Sequence, residues 1–275
     1  MMGGCRVILV LAVLGCAMAS SCKRAREREG QAASSGSPRP QVVVGTSMIE
    51  SAVRRLAGDR LQVYRLAPPG QCPGHFDMKP GDFEAIIRSE LLLRHDYQEH
   101  LDRKLQHAGG TRSIVSLPTG GPQTIPDNYL ALCREVKEAL DTAFPALSPT
   151  LEANLKALEA EVQAIRSRAR ERAKPLRGRA IVASSFQEEF RGWLGLKVVA
   201  QFDLEVEMSP RDLESAVRAG EEGRATAVVC NLQRGEREGK PLAERLGVPL
   251  VVLSNFPLEP ASQDAYAGLV AHNVD

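Results

Sequence analysis

Short apolar runs alternate with amphipathic stretches along most of this chain, and that alternation predicts the architecture. Gln41 to Gly45 is a β-branched run. Ser47-Met48-Ile49-Glu50 has the form of a capping box, and Ile49, Val53 and Leu56 follow helical spacing until Gly58 ends it. Leu61 to Leu66 is the next strand, Pro80 to Ser89 a helix, and Leu91 to Leu93 a short buried strand. The order β-α-β-α-β predicts a parallel sheet with helices on both faces.

The middle of the chain loses the strand pattern. Tyr129, Cys133, Val136 and Leu140 mark one amphipathic helix. Ser148 caps another with Pro149 at its first position. Leu151, Leu155, Leu158, Val162 and Ile165 then repeat at helical spacing, and the pattern runs to Lys174-Pro175. A helix over 149–174 is about 39 Å long at 1.5 Å per residue, which suits a rigid strut between two bodies.

Alternation then resumes. Strands are expected at Ala180 to Ala183, Lys197 to Phe202, Ala225 to Cys230 and Leu250 to Leu253. Helices are expected at Phe186 to Leu194, from Ser209-Pro210, at Pro241 to Leu246 and at Gln263 to His272. The fold class is therefore α/β: two doubly wound lobes joined by one long rigid helix, with a ligand cleft between the lobes. The domain boundaries read as 41–145, 146–175 and 176–275.

The first forty residues belong to neither lobe. Arg6 is the one charge before Lys23, and Val7 to Gly15 is an apolar run too short to span a bilayer comfortably. Residues 1–22 read as a secretory signal. Val13-Leu14-Gly15-Cys16 and Ala19-Ser20-Ser21-Cys22 both have the lipobox form, so lipidation falls at Cys22 or Cys16. Lys23 to Pro40 is polar and rich in Arg, Ser, Gly and Pro, and such a stretch cannot bury enough apolar surface to fold. It reads as a tether holding the folded body off a membrane.

Composition narrows the function. A formal charge of +1 gives no electrostatic case for nucleic acid. The basic run from Arg166 to Arg179 reads as a solvated helix face. Gly-x-Ser-x-Gly, a Walker loop and His-Glu-x-x-His are all absent from the sequence, so nothing points to an enzyme. With the lipid on Cys22, Cys72, Cys133 and Cys230 remain after processing. An odd number in an oxidising compartment leaves a thiol that is either buried or a ligand.

Gln71-Cys72-Pro73-Gly74-His75 carries the clearest chemistry. It sets a thiol and an imidazole three residues apart on one turn, and both suit zinc or copper. His95 follows the third strand and is expected close by, so Cys72, His75 and His95 are the metal candidates. Ligands in open parallel sheets bind beyond the carboxyl ends of the strands. That rule brings Ser184, Ser185, Cys230, Asn231, Ser254 and Asn255 to the opposing wall, together with Asp203, and puts Thr46 on the same wall as the turn.

The layout resembles the substrate-binding lipoproteins of bacterial zinc and manganese ABC transporters. The resemblance rests on Val42-Val43-Val44-Gly45-Thr46-Ser47, Gly58-Asp59-Arg60-Leu61, Pro80-Gly81-Asp82 and Leu101 to Leu105. The strut helix, Gly195-Leu196-Lys197 and Ser209-Pro210-Arg211-Asp212-Leu213 extend it over nearly all of the mature chain. It implies an exported, membrane-anchored monomer that delivers a zinc or manganese ion to an ABC permease, with no organic cofactor. It also implies three histidines and a carboxylate as metal ligands. This chain departs from that set. Gly74 occupies the first histidine's position, with His75 displaced by one. Pro118 to Gln123 holds no histidine, Ser184 or Ser185 stands at the third, and Ser254-Asn255 stands where the acid is expected. The same scaffold is then also suited to a small polar molecule or a metal chelate.

Overall fold

The computed structural model describes residues 39–106, 113–185, 188–202, 208–237 and 239–275. The expected signal segment 1–22, Cys16, Cys22 and Asp203 lie outside the described residues, as does nearly all of the expected tether 23–40. Residues Pro40–Asp275 form one compact unit.

The N-terminal lobe is built from strands β1 (Gln41–Val44), β2 (Gln62–Arg65), β3 (Leu91–His95) and β4 (Ile114–Leu117). Helices α1 (Ser47–Ala57), α2 (Pro80–Arg88) and α3 (His100–Gln106) connect them. Then come α4 (Pro126–Ala143) and the 26-residue α5 (Ser148–Ala173). The C-terminal lobe repeats the pattern with β5 (Ala180–Ser184), α6 (Glu188–Leu194), β6 (Lys197–Phe202) and α7 (Pro210–Glu222). It continues through β7 (Val228–Asn231), α8 (Gly239–Leu246), β8 (Leu250–Leu253) and α9 (Ala265–Val274).

Both sheets are parallel throughout and share one order, β2-β1-β3-β4 and β6-β5-β7-β8. Each sheet therefore reverses direction of growth beside its first strand, between β1 and β3 and between β5 and β7. Such switch points open a crevice at the carboxyl ends of the strands.

The strands read as nearly unbroken apolar runs because both of their faces are covered. Side chains alternate, so Val42, Val44, Leu91 and Leu93 point to one side and Val43 and Leu92 to the other. The first side joins a core that continues without a break through both lobes. It takes in Tyr129 and Cys133 of α4, Leu158, Val162 and Ile165 of α5, Ile181 and Ala183 of β5, and Leu269 of α9. Fully burying a side chain of this size stabilises by roughly 1.5–3 kcal/mol, so α5 is a shared wall of one core as well as a strut. The outer face of each sheet has its own cluster. Phe76 and Ile86 cover Val43 and Leu92, while Phe202 and Leu242 cover Val182, Val228 and Cys230.

Two local features differ from the sequence reading. The cap of α1 is Thr46, whose Oγ1 accepts from the Ile49 amide at 3.3 Å. Glu50 is drawn away from capping into ion pairs with Arg54 and Arg65. The fourth strand, Ile114-Val115-Ser116-Leu117, was not expected. It is four residues long, half-buried, and paired along β3. An edge strand with one polar position is too short to stand out by alternation alone.

Candidate metal and ligand cleft between the lobes

The carboxyl ends of the two sheets meet across a cavity of about 650 Å³. The N-terminal lobe contributes the Cys72-to-His75 turn, Tyr97, Thr119 and the Gly121-to-Thr124 segment. The C-terminal lobe contributes Ser185, Glu189, Asn231, Gln233, Arg234, Asn255 and Phe256. Pockets of about 300–1,000 Å³ are the usual size for small-molecule sites.

The turn is held in place from two sides. The His75 amide donates to the Cys72 carbonyl at 3.1 Å, closing a tight loop through Pro73-Gly74. Beneath it Gln98, fully buried, lies 3.4 Å from the Pro73 and Gly45 carbonyls through its side-chain amide. Gly45 permits this approach, since a Cβ there would meet Gln98 Oε1 at 2.3 Å. Cys72 Sγ and His75 Nδ1 stand 3.4 Å apart on the cavity wall. A half-exposed thiol and an exposed imidazole at that separation can share one soft cation.

His95 does not join them. It ends β3 on the inner face, completely buried, with Nε2 3.2 Å from Thr46 Oγ1 and its ring stacked on Tyr97 at 5.2 Å. Burial pushes its pKa down to about 4, against a small opposing pull from Asp96. It is a neutral imidazole tying the ends of β1 and β3 together, and it does not line the cavity. Among the described residues, no three of His, Cys, Asp and Glu gather closely enough to hold a metal ion. Glu189 lines the cavity without completing such a group.

Of the residues expected on the opposing wall, Ser185, Asn231 and Asn255 line the cavity. Ser184, Cys230 and Ser254 do not, and each has a physical reason. Strand alternation turns Cys230 to the outer face with Val228, against α8, where Gly239 approaches so closely that a Cβ would lie 2.1 Å from Sγ. Ser184 is fully buried at the end of β5. Ser254 is occupied structurally: its Oγ accepts from Gln233 Nε2 at 2.9 Å and donates to the Phe256 carbonyl at 2.7 Å. Asn273 clasps its backbone from α9 on both sides.

Gln233 and the Gln123-Thr124 pair are among the wall residues that the sequence reading missed, with Tyr97, Thr119, Glu189, Arg234 and Phe256. Gln233 Nε2 also donates to the Pro69 carbonyl at 3.0 Å, crossing the cleft from one lobe to the other. Its Oε1 accepts from the Asn255 amide. Gln123-Thr124 precedes Pro126 at the start of α4, and the Thr124 carbonyl accepts from Tyr266 Oη at 3.2 Å. Tyr266 in turn stacks on Tyr129 with centroids 3.6 Å apart. Asp96 anchors the neighbouring Thr119 through its amide and hydroxyl. Among the described residues, Gln123, Thr124 and Asn231 each keep one buried polar atom without a partner: Nε2, Oγ1 and Nδ2 respectively. The only local hint in the sequence was an amide or hydroxyl beside a proline or just past a strand.

Comparison with known proteins gives a consistent picture. A family model described as the periplasmic component A of zinc-uptake complexes matches residues 42–275. The metal ABC transporter substrate-binding lipoprotein ScbA of Streptococcus cristatus is 30% identical over 87 residues, which is 32% of this chain and 26% of that protein. The periplasmic zinc-binding protein TroA of Treponema pallidum superposes with a TM-score of 0.73 at 18% identity, covering 86% of this chain and 97% of that one. The substrate-binding protein FpvC of P. aeruginosa, solved with a nickel ion, gives 0.72 at 17% identity, covering 86% and 94%. At these identities the two structures establish the shared fold.

Proposed function

Because the chain belongs to the family of periplasmic component A proteins of zinc-uptake complexes, we propose that it is the extracytoplasmic receptor of an ABC importer for a transition metal. The observation that carries the proposal is the Cys72–His75 pair, 3.4 Å apart on the wall of the interlobe cavity. Zinc or manganese is the expected cargo, with copper also suited to a thiolate and an imidazole. The cargo enters as substrate; no resident organic cofactor is needed.

The receptor works by capture and release and performs no catalysis. It is exported under residues 1–22, lipidated at Cys22 or Cys16, and held off the membrane by residues 23–40 as a monomer. No described helix is long and apolar enough to cross a membrane. The lobes share one core through α5 and are further tied by Gln233 to Pro69 and by Tyr266 to Thr124. Such coupling favours a tilt of about a few degrees on loading over a wide hinge swing. The loaded form is what the permease recognises.

The test is the metal content of the mature protein, residues 23–275, purified without chelator or affinity tag and measured by plasma mass spectrometry. Near-stoichiometric zinc, manganese or copper that is lost in Cys72→Ala/His75→Ala supports the receptor reading. A folded protein that takes up none of these ions, as isolated or after incubation with each, would end it.

A further inference from the structure

The cleft presents two soft donors to a metal and far more hydrogen-bonding capacity than a bare ion can use. A protein zinc site is four-coordinate, and here Cys72 and His75 fill only part of that shell. The cavity, about 650 Å³, is on the order of twenty times the share of liquid volume taken by one water. Its walls hold three polar atoms that are buried and unpartnered among the described residues. Gln123 is 8% exposed, Thr124 2% and Asn231 1%. Gln123 and Thr124 come from the N-terminal lobe and Asn231 from the C-terminal lobe, so the three residues line the cavity from both sides, their unpartnered atoms shielded from solvent.

Leaving such groups unpaired costs about 1–3 kcal/mol each, and an unpaired buried group in a folded protein calls for an explanation. Two of the three atoms are amide nitrogens, which only donate, and the third is a hydroxyl, which can. Amide donors do not coordinate a cation. They pair with acceptor oxygens, most strongly when those oxygens carry charge. Arg234 lines the same cavity and adds a positive charge, while Glu189 on the wall opposes it.

From this arrangement we infer that the cargo is a transition metal ion already held by a small carboxylate chelator. Cys72 and His75 take open positions on the metal. Gln123, Thr124 and Asn231 bind the chelator's oxygens from both lobes. The inference rests on the receptor reading above and names its substrate class.

Titration calorimetry on the processed protein tests it with zinc sulfate alone, sodium citrate alone, and zinc with equimolar citrate, repeated with nitrilotriacetate. The expected result is a zinc–chelator complex bound at least about tenfold more tightly than zinc alone, the size of effect that two charge-assisted hydrogen bonds bring. Chelator alone should bind weakly. Asn231→Asp keeps Oδ1, which accepts from the Gln233 amide at 3.0 Å, and replaces the donor with a carboxylate. It should abolish the chelator's advantage while zinc alone binds as before or better. Gln123→Glu makes the same exchange on the other lobe and serves if Asn231→Asp melts early.

If both chelators only compete, so that zinc alone binds tightest and Asn231→Asp strengthens it, the receptor takes a bare ion and this inference fails alone. Chelator binding as tightly without metal as with it also overturns the inference, because Cys72 and His75 then have no part. If no arm binds, and none binds when manganese or copper replaces zinc, the receptor reading fails as well.

Discussion

His95 offers a quantitative test, because its burial makes the fold sensitive to mild acid. The imidazole is fully buried and, among the described residues, bonds through Nε2 to Thr46 Oγ1 while Nδ1 has no partner. Burial holds its folded pKa at about 4, against an ordinary value of 6.5. The unfolded chain therefore binds a proton at a pH where the folded chain does not. A base depressed in the fold loses stability as pH falls from 6.5 towards 4. At pH 5 the linkage relation gives a loss of about 2 kcal/mol relative to pH 7.5, and about 3 kcal/mol once pH is below the folded value. Urea unfolding at pH 7.5 and pH 5.0 measures it, with His95→Gln as the reference. Gln cannot be protonated, so the variant should lose about 2 kcal/mol less than the wild type over that interval. Carboxylates titrate in both proteins and cancel in the difference. Equal losses in the two proteins would show that the buried imidazole does not set the acid response.

Three further outcomes follow from the packing. Leu158→Ala opens the core that both lobes share, so it should cost roughly 2–5 kcal/mol. Trp193 fluorescence, a probe of the C-terminal lobe, should still unfold in one step together with far-UV circular dichroism; separate transitions would refute the shared core. Gly239→Ala places a Cβ 2.1 Å from Cys230 Sγ and 3.0 Å from Leu250 Cδ1. Denaturant unfolding should show a loss of about 1–3 kcal/mol, partly recovered in Gly239→Ala/Cys230→Ala. Tyr266→Phe removes the bond to the Thr124 carbonyl and keeps the stack on Tyr129. A calorimetric melt should report a loss of about 1 kcal/mol, and no change would mean that the bond adds nothing to holding the lobes.

What the chain's sequence determined by itself is the part governed by short-range chemistry. Apolar runs of four to six residues between helical stretches required parallel sheets covered on both faces. The 26 residues of α5 announced themselves by a proline at the first turn and a long apolar stripe. The Cys-Pro-Gly-His turn needed no tertiary information to bring its thiol and imidazole together, because three residues of tight backbone do that.

Tertiary structure alone decided what else reaches the cleft. His95 follows a strand as a ligand would, yet alternation along β3 turns it inward beneath Thr46. Cys230 and Asn231 are adjacent, but the pleat sends one to α8 and the other to the cavity. Gln123, Thr124 and Gln233 lie in segments without periodicity, and only the packing of one lobe against the other sets them across a common space. A period in sequence records which side of an element is apolar. It does not record which element from far along the chain will stand opposite, and the cleft is made of such oppositions.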